Sequence, residues 1–510
     1  MVNVALPAIR ADLDTGLADQ QWIVEAYLLT LGALLLVGGS LGDLRGRRRV
    51  FVIGLSGFGV TSLLCALAPS PEVLIAMRAI QGVAGALLVP SSLSLIAATF
   101  PGSERGAAIG SWTAWTGIAM VIGPLGGGAL VEFASWRWIF AINVPLVLAA
   151  LAVVRAGVPE SMDEESKHRI DYLGAVLVSL GLAGPVFALI EQPVYGFGDP
   201  LVWVPLVAGF LLLGLFVWHE DRSDHPMLPL SLFRARNFAV GNAATLAIYG
   251  GLGGATFFVA IFLQQVSGYS PIAAGLSLMP ITIVMWLLSR RWGALSDRIG
   301  PRLLMGFGPV VMGIGLTWMG MLSPDVDYAT DLLPGVLVFA LGLSATVAPL
   351  TNTVLGAVAQ HRAGVASGVN NQIARVASLL AIAVLGAVVS AQYKASVRDN
   401  AASLPPAQRA AALRLESEVL AGGRGQPPAV RSAVADASVS AYRLGMGVGG
   451  GLVVLGGLLC LAGIVNPSRA ERDCAEEPGH GPARLQQPCL EPERLPVVRL
   501  PQRAAAAAPE

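Results

Sequence analysis

Two charged residues lie deep inside apolar sequence, where charge is expensive. Arg78 sits in LIAMRAIQGVAGALL, about 9 Å by helical rise from the nearer end of its run. At that depth in lipid a charge costs about 2.5 to 3.5 kcal/mol, so the guanidinium must face a cavity or a partner, or snorkel to the surface. Gln81 shares its helix face, and Gly82 and Gly85 keep the helix thin. Glu25, in WIVEAYLLTL, is the acidic residue set inside its run rather than at the edge. Two roles are open to it: an interfacial carboxylate near a helix N-terminus, a turn or so from the surface, or a buried, proton-sensitive partner of Arg78.

Charge is also concentrated in two knots. GSLGDLRGRRR, Gly39 to Arg49, is squeezed between apolar runs, and WGALSDRIGPR, Trp292 to Arg302, repeats its small-x-x-x-Asp-x-x-Gly-x-Arg plan 254 residues on, from Asp43 to Asp297. Such a knot is either a topogenic stop, basic residues holding a loop on one side of a membrane, or a gate. For a gate, Gly39 and Gly42 permit close backbone approach, Gly46 and Gly300 permit tight turns, and Asp43 or Asp297 caps a neighbouring helix N-terminus. Arg47 and Arg298 complete each knot.

Between Gly110 and Leu130 runs GSWTAWTGIAMVIGPLGGGAL. Pro124 bends such a helix, and Gly110, Gly123, Gly126, Gly127 and Gly128 open a smooth groove beside it, or simply serve small-residue packing. Asn143, Gln264, Gln265, Asn352, Asn370, Asn371 and Arg375 are polar residues able to line a substrate path or to hydrogen-bond between helices. The five histidines fall in loops, span edges or the tail, and the four cysteines show no CxxC spacing, so no metal or cofactor is expected. Lys167 and Lys394 are the only lysines, and neither sits in a glycine-rich phosphate loop, which argues against nucleotide. Zero net charge gives no argument for nucleic acid. The spans hold no paired His and Glu or Ser with a base, so an enzyme is not expected.

Only 13% of the 510 residues are charged and 54% are hydrophobic, too little polarity to cover a water-exposed surface. The solvent for most of the chain is therefore lipid. At about 20 apolar residues per crossing, the chain reads as all-α with thirteen full spans and a stub, Met1 to Ile9. Grouping alternate loops puts about sixteen basic residues on one side against about two, Arg10 and Arg137, on the other. The basic side is then cytoplasmic, with both termini. The knots lie eight spans apart, which fits a six-helix unit duplicated in parallel with two helices inserted between the copies. The expected parts are a bundle at 1–155 with an incomplete first helix, two linker helices at 156–237, a second bundle at 238–465 interrupted by an extracellular loop at 392–439, and a disordered cytoplasmic tail at 466–510.

Over about residues 1 to 465 the chain resembles the major facilitator superfamily, specifically its fourteen-helix drug:proton antiporters of the EmrB/QacA type. GSLGDLRGRRR is similar to that family's cytoplasmic gating motif, with Asp43 and Arg47 at the positions that lock the halves and Leu44 replacing a basic residue. Arg78, Gln81 and Gly82 match its fourth-helix motif implicated in proton transfer. Gly110, Gly123, Pro124, Gly127 and Gly128 match its fifth-helix antiporter motif, with Ala119 in place of a glycine. WRWIFAINVP and FLQQVSGYSP resemble subfamily signatures. VNVALP looks like the second half of the first-helix motif, whose first half carries an aspartate and a threonine, so a longer first helix is expected from the upstream frame. The resemblance implies a plasma-membrane antiporter that exchanges protons for amphiphilic or hydrophobic drug-like molecules. Export of an endogenous antibiotic, lipid or siderophore is the alternative, and a transporter-like sensor a more distant one.

Overall fold

The computed structural model describes residues 2–100, 108, 111, 115, 123, 125–161, 171–223, 226–358, 363–423 and 425–466. Among them every regular element is helical. Residues Met1–Val465 form one compact unit. The expected tail at 466–510 lies outside the described residues save Asn466, as do Gly110 and Pro124 and most of the fifth span.

Helix α1 (Val2–Leu13) is short, and buries Val4, Ala5, Leu6 and Ile9. The first half continues with α2 (Leu17–Arg45), α3 (Arg47–Ala66), α4 (Pro71–Thr99), a helical stretch at 125–133, and α5 (Trp138–Gly157). Then come α6 (Tyr172–Tyr195) and α7 (Pro200–Arg222), started by Asp171 and Asp199, whose carboxylates accept from the Gly174 and Leu201 amides. The second half comprises α8 (Arg236–Gln265), α9 (Pro271–Ser277), α10 (Met279–Ile299), α11 (Pro301–Met319), α12 (Leu333–Gly356), α13 (Ala363–Ala402), α14 (Pro406–Arg414) and α15 (Pro428–Gly463). Eleven described helical stretches are long and apolar enough to cross a membrane. A lone helix of this kind satisfies its own backbone in lipid, which is why the apolar runs fold this way.

The halves repeat the same pairings. In the first, α4 packs on α2 and α3, and α3 on α5; in the second, α12 packs on α10 and α11, and α11 on α15. The α6–α7 hairpin stands outside this repeat and rests α6 across α2 and α13. Val186 and Ile190 of α6 pack against Leu379 and Ala383 of α13, while the Trp22 indole N–H donates to Glu191 at 2.9 Å.

The stretch 392–439 is not the polar loop its composition suggests. Helix α13 runs on to Ala402, and α15 already starts at Pro428, with α14 between them. Alanine-rich, weakly polar sequence extends a helix at little cost, and the projecting ends bury Tyr393, Val397, Ala401, Val430, Val434 and Ala437 against one another. The Tyr393 hydroxyl donates to the Leu415 carbonyl at 3.1 Å and the Asn400 amide to Ala433 at 2.9 Å. The insert is therefore a packed helical cap.

Candidate functional site

Inside the first half, Arg78 is buried on α4. Its Nε donates to the Ile23 carbonyl of α2 at 2.9 Å and its Nη1 to Gln81 Oε1 at 2.6 Å. The guanidinium lies over the Tyr27 ring, 4.2 Å from its centroid. Gln81 passes the chain of bonds on to Ser62 of α3 at 2.7 Å, and the Asn143 amide of α5 reaches the same hydroxyl at 3.4 Å. The helices approach closely enough because Gly82 has no side chain: a Cβ there would stand 2.0 Å from Thr30 Oγ1 and 2.4 Å from the Tyr27 carbonyl.

Glu25 is not part of this network. It is wholly buried, so the interfacial alternative does not describe it. Among the described residues neither carboxyl oxygen has a hydrogen-bond partner, and the pairing with Arg78 is not formed. The helix geometry explains why: Ile23 and Tyr27 face α4, whereas Glu25 points elsewhere on α2. Arg78 is satisfied instead by a carbonyl, an amide oxygen and an aromatic face.

At the two knots, single glycines in the left-handed region divide consecutive helices. Gly46, φ +100°, separates α2 from α3, and Gly300, φ +88°, separates α10 from α11. The side chains of Asp43 and Asp297 lie outside the described residues. The carboxylate seen at the start of α3 is Glu160, which accepts from the Arg48 and Arg49 amides at 3.0 and 3.1 Å, while Arg48 donates to the Arg155 carbonyl at 2.9 Å. The closest backbone approach is at Gly38, where a Cβ would stand 2.0 Å from the Ala86 carbonyl oxygen. Gly42 is tight against Ser91 at 3.2 Å, and Gly39 makes only ordinary contact with Pro90 at 3.5 Å.

Of the glycines at the fifth span, Gly123 has nothing near its missing Cβ, and Gly127 is buried. Gly128 faces the second half, its Cβ position 2.8 Å from the Pro271 carbonyl oxygen. Beside it Glu132 accepts from the Ile272 amide at 3.2 Å. At the same end Arg10 donates to Gln265 at 2.8 Å and pairs with Glu418 of the cap at 3.4 Å. Asn370 bonds Asn242 and Thr245 of α8 at 3.0 and 2.9 Å, the interhelical role rather than a free polar surface. Asn371 is exposed and bonds its own helix at Ser367. Gln264 is buried and donates to the Ala260 carbonyl, and Arg375 is half-buried on α13.

Sequence reasoning found Arg78 and Gln81 and missed Ser62, Tyr27, Glu160 and the Arg10–Glu418 contact. A serine and a tyrosine in apolar helices carry no pattern of their own. Glu132, just past the glycine stretch, was the one missed residue with a visible signal, a charge at the end of a long apolar run.

Comparison with known proteins agrees with this architecture. The solved structure of the POT family transporter PepTSo superposes with TM-score 0.61 over 91% of this chain and 93% of its own, at 13% identity, a likeness of fold alone. The chain is 35% identical over 397 residues to the tetracenomycin C resistance and export protein of Streptomyces glaucescens, covering 77% of this chain and 73% of that protein. It is 35% identical over 412 residues to the puromycin resistance protein pur8 of Streptomyces alboniger, covering 79% and 80%. The multidrug resistance protein Stp of Mycobacterium tuberculosis is 34% identical over 404 residues, 78% and 74% of the two chains. The profile of the Major Facilitator Superfamily matches residues 1–382. Repeated helical pairing, a lipid-facing composition and this sequence match converge: the chain is a multi-pass membrane transporter belonging to the Major Facilitator Superfamily.

Proposed function

We propose that the chain is a proton-driven antiporter in the plasma membrane that exports amphiphilic or hydrophobic drug-like compounds by alternating access. The observation that carries the coupling is that the transport core buries a carboxyl group and a guanidinium that do not neutralise each other. Charge of this kind weakens a membrane fold and is retained for function. The export direction and substrate class are supported by the resistance and export proteins it resembles. In this reading the knots face the cytoplasm with the C-terminus, Arg10 and the helical cap lie outside, and the domains divide at 1–155, 156–237 and 238–465. Glu25 carries the proton; Arg78 and Gln81 serve the coupling through their own hydrogen-bond network across α2, α3 and α4. Asp43 with Arg47, and Asp297 with Arg298, latch the cytoplasmic ends. Gln265 seals the outer end with Arg10, and the substrate path between the halves runs past Asn371 and Arg375.

A second reading differs only in cargo. Tetracenomycin C export by a relative favours an endogenous antibiotic of the producing cell as substrate. Everted vesicles separate the possibilities. A fluorescent cationic drug accumulates when the membrane is energised and is released by a protonophore if the leading reading is right. Proton-driven uptake of an antibiotic but of no drug in a panel favours the second, and protonophore-insensitive accumulation refutes proton coupling.

A further inference from the structure

Helix α6 rests on the seam where α2 meets α13. Across that seam the Gln21 amide donates to the Ile382 carbonyl at 2.8 Å, and the Gln372 amide donates to the Gly32 carbonyl. Where α6 ends, its contact with α13 opens into a cavity of about 470 Å³, walled by residues 192–196 on one side and by residues of the 391–398 stretch of α13 on the other. The cavity lies at the lipid–water boundary. Helix α6 has 24 residues, roughly 36 Å by helical rise, against about 30 Å of hydrocarbon. It begins and ends on exposed tyrosines, Tyr172 and Tyr195, a residue type that settles at headgroup depth.

Among the described residues two cations and no carboxylate line this cavity: Lys394 and Arg398, four apart and so on one face of α13. Their structural duties use little of either. The Lys394 ammonium donates to the Pro193 carbonyl, one of the last of α6, as a lysine commonly does at a helix C-terminus. Arg398 donates to Glu416 of the cap and is otherwise exposed. An ammonium carries three N–H donors and a guanidinium five, so most of their donors are uncommitted among the described residues. The surface leading away is apolar. Ala395, Ala391 and Val384, spaced four and seven residues apart, continue the same face of α13 and are exposed, and Val194 is exposed across the cavity from them. Cations at headgroup depth above an apolar strip fit a two-part ligand. A soluble anion would use the cations and leave the strip bare, and a zwitterionic lipid would bring its own ammonium toward two positive charges.

We infer that the cavity between the end of α6 and α13 binds one anionic phospholipid: its phosphate sits between Lys394 and Arg398, and an acyl chain lies along Ala395, Ala391 and Val384. Phosphate suits this pair, because a guanidinium grips two of its oxygens at once and an ammonium supplies a second point of charge. Bound there, the lipid ties the α6–α7 hairpin, which stands outside the duplicated unit, to the second half.

The test is native mass spectrometry of the full chain, delipidated in detergent and titrated with phosphatidylglycerol. The wild type is expected to retain one phosphatidylglycerol at collision energies that strip the others. Lys394→Gln/Arg398→Gln is expected to weaken that binding by about tenfold or more, the scale of one charge-assisted bond. Arg409→Gln/Arg431→Gln removes the same charge from exposed residues outside the cavity and is expected to bind as the wild type does. Ala395→Trp keeps both cations, fills the cavity, and is expected to lose the lipid as well. Equal binding by the wild type and Lys394→Gln/Arg398→Gln overturns the inference, as does equal weakening by Arg409→Gln/Arg431→Gln. Phosphatidylcholine held as tightly as phosphatidylglycerol refutes the preference for an anion, and displacement of the lipid by inorganic phosphate makes this a site for a soluble anion instead. If Lys394→Gln/Arg398→Gln does not fold, Ala395→Trp decides: unchanged binding refutes the inference.

Discussion

Arg78 is held by features that only a guanidinium matches together: two directed N–H bonds, to a carbonyl and an amide oxygen, and a planar face over Tyr27. Arg78→Lys keeps the charge and loses this geometry, so vesicle uptake is expected to fall by about tenfold or more, roughly the effect of one charge-assisted bond of about 1.5 to 3 kcal/mol, while membrane levels on immunoblots stay near wild type. A different carboxylate gives a pH signature. Arg137, and then the Trp136 indole, hydrogen-bond to Asp12 and hold its carboxyl below the ordinary value. A depressed folded-state acid contributes stability above its unfolded-state value, and that contribution is lost as pH falls through the folded one. The pair is largely exposed, so Asp12→Asn is expected to cost under about 1 kcal/mol at pH 7, with the difference in thermal midpoint vanishing once the carboxyl is protonated in strong acid. At this scale the sequence was legible where a charge interrupts apolar residues, as at Arg78 and Glu25. It was silent on partners: Ile23 acts through its carbonyl, and Ser62 looks like any serine in a helix.

Among the elements, the knots are defined by what joins the helices. Gly46 sits at φ +100°, which an L side chain rarely adopts, and a Cβ there would push against the Glu160 carboxyl group 2.8 Å away. Gly46→Ala is expected to lower unfolding free energy by about 1 to 2 kcal/mol and to displace Glu160 from the start of α3. Glu160→Gln removes the charge at that helix start, worth about 0.3 to 1 kcal/mol, and turns one of the two accepting oxygens into a donor, losing the bond to the Arg48 or Arg49 amide, so its thermal midpoint is expected to fall as well. The duplicated glycine turns were readable because they follow an Asp-x-x-Gly spacing that recurs. The helical cap was not readable, because residues 392–402 and 428–439 have ordinary polarity and become helical by burying Tyr393 and Val434 against each other, a long-range event with no local pattern. The separation of Glu25 from Arg78 was hidden for the same reason: which face of α2 meets α4 is fixed by Gly82 and Thr30 packing.

For the whole molecule, the contacts between halves described here lie from the Arg10 end down to Gly32: Arg10 with Gln265 and Glu418, Glu132 with Ile272, and Gln21 with Ile382. This is the arrangement of a transporter closed at that end. Gly128→Val should prevent the closure, because even the Cβ would stand 2.8 Å from the Pro271 carbonyl oxygen. Uptake is expected to be lost while a cysteine at position 395 becomes more reactive to a membrane-impermeant maleimide. The parallel duplication behind this architecture was visible in the sequence as two knots an even number of spans apart; the docking of α6 across α2 and α13 was not, since an apolar helix facing lipid and one facing protein read alike. In the proposed antiport, drug binding expels the proton held by one buried acid, Glu25. The most direct measurement adds a transported drug to purified, unbuffered protein and follows pH. The account predicts that wild type releases protons on drug addition and Glu25→Gln, still binding drug, releases none; drug binding by the wild type without proton release, or equal release by both, contradicts it.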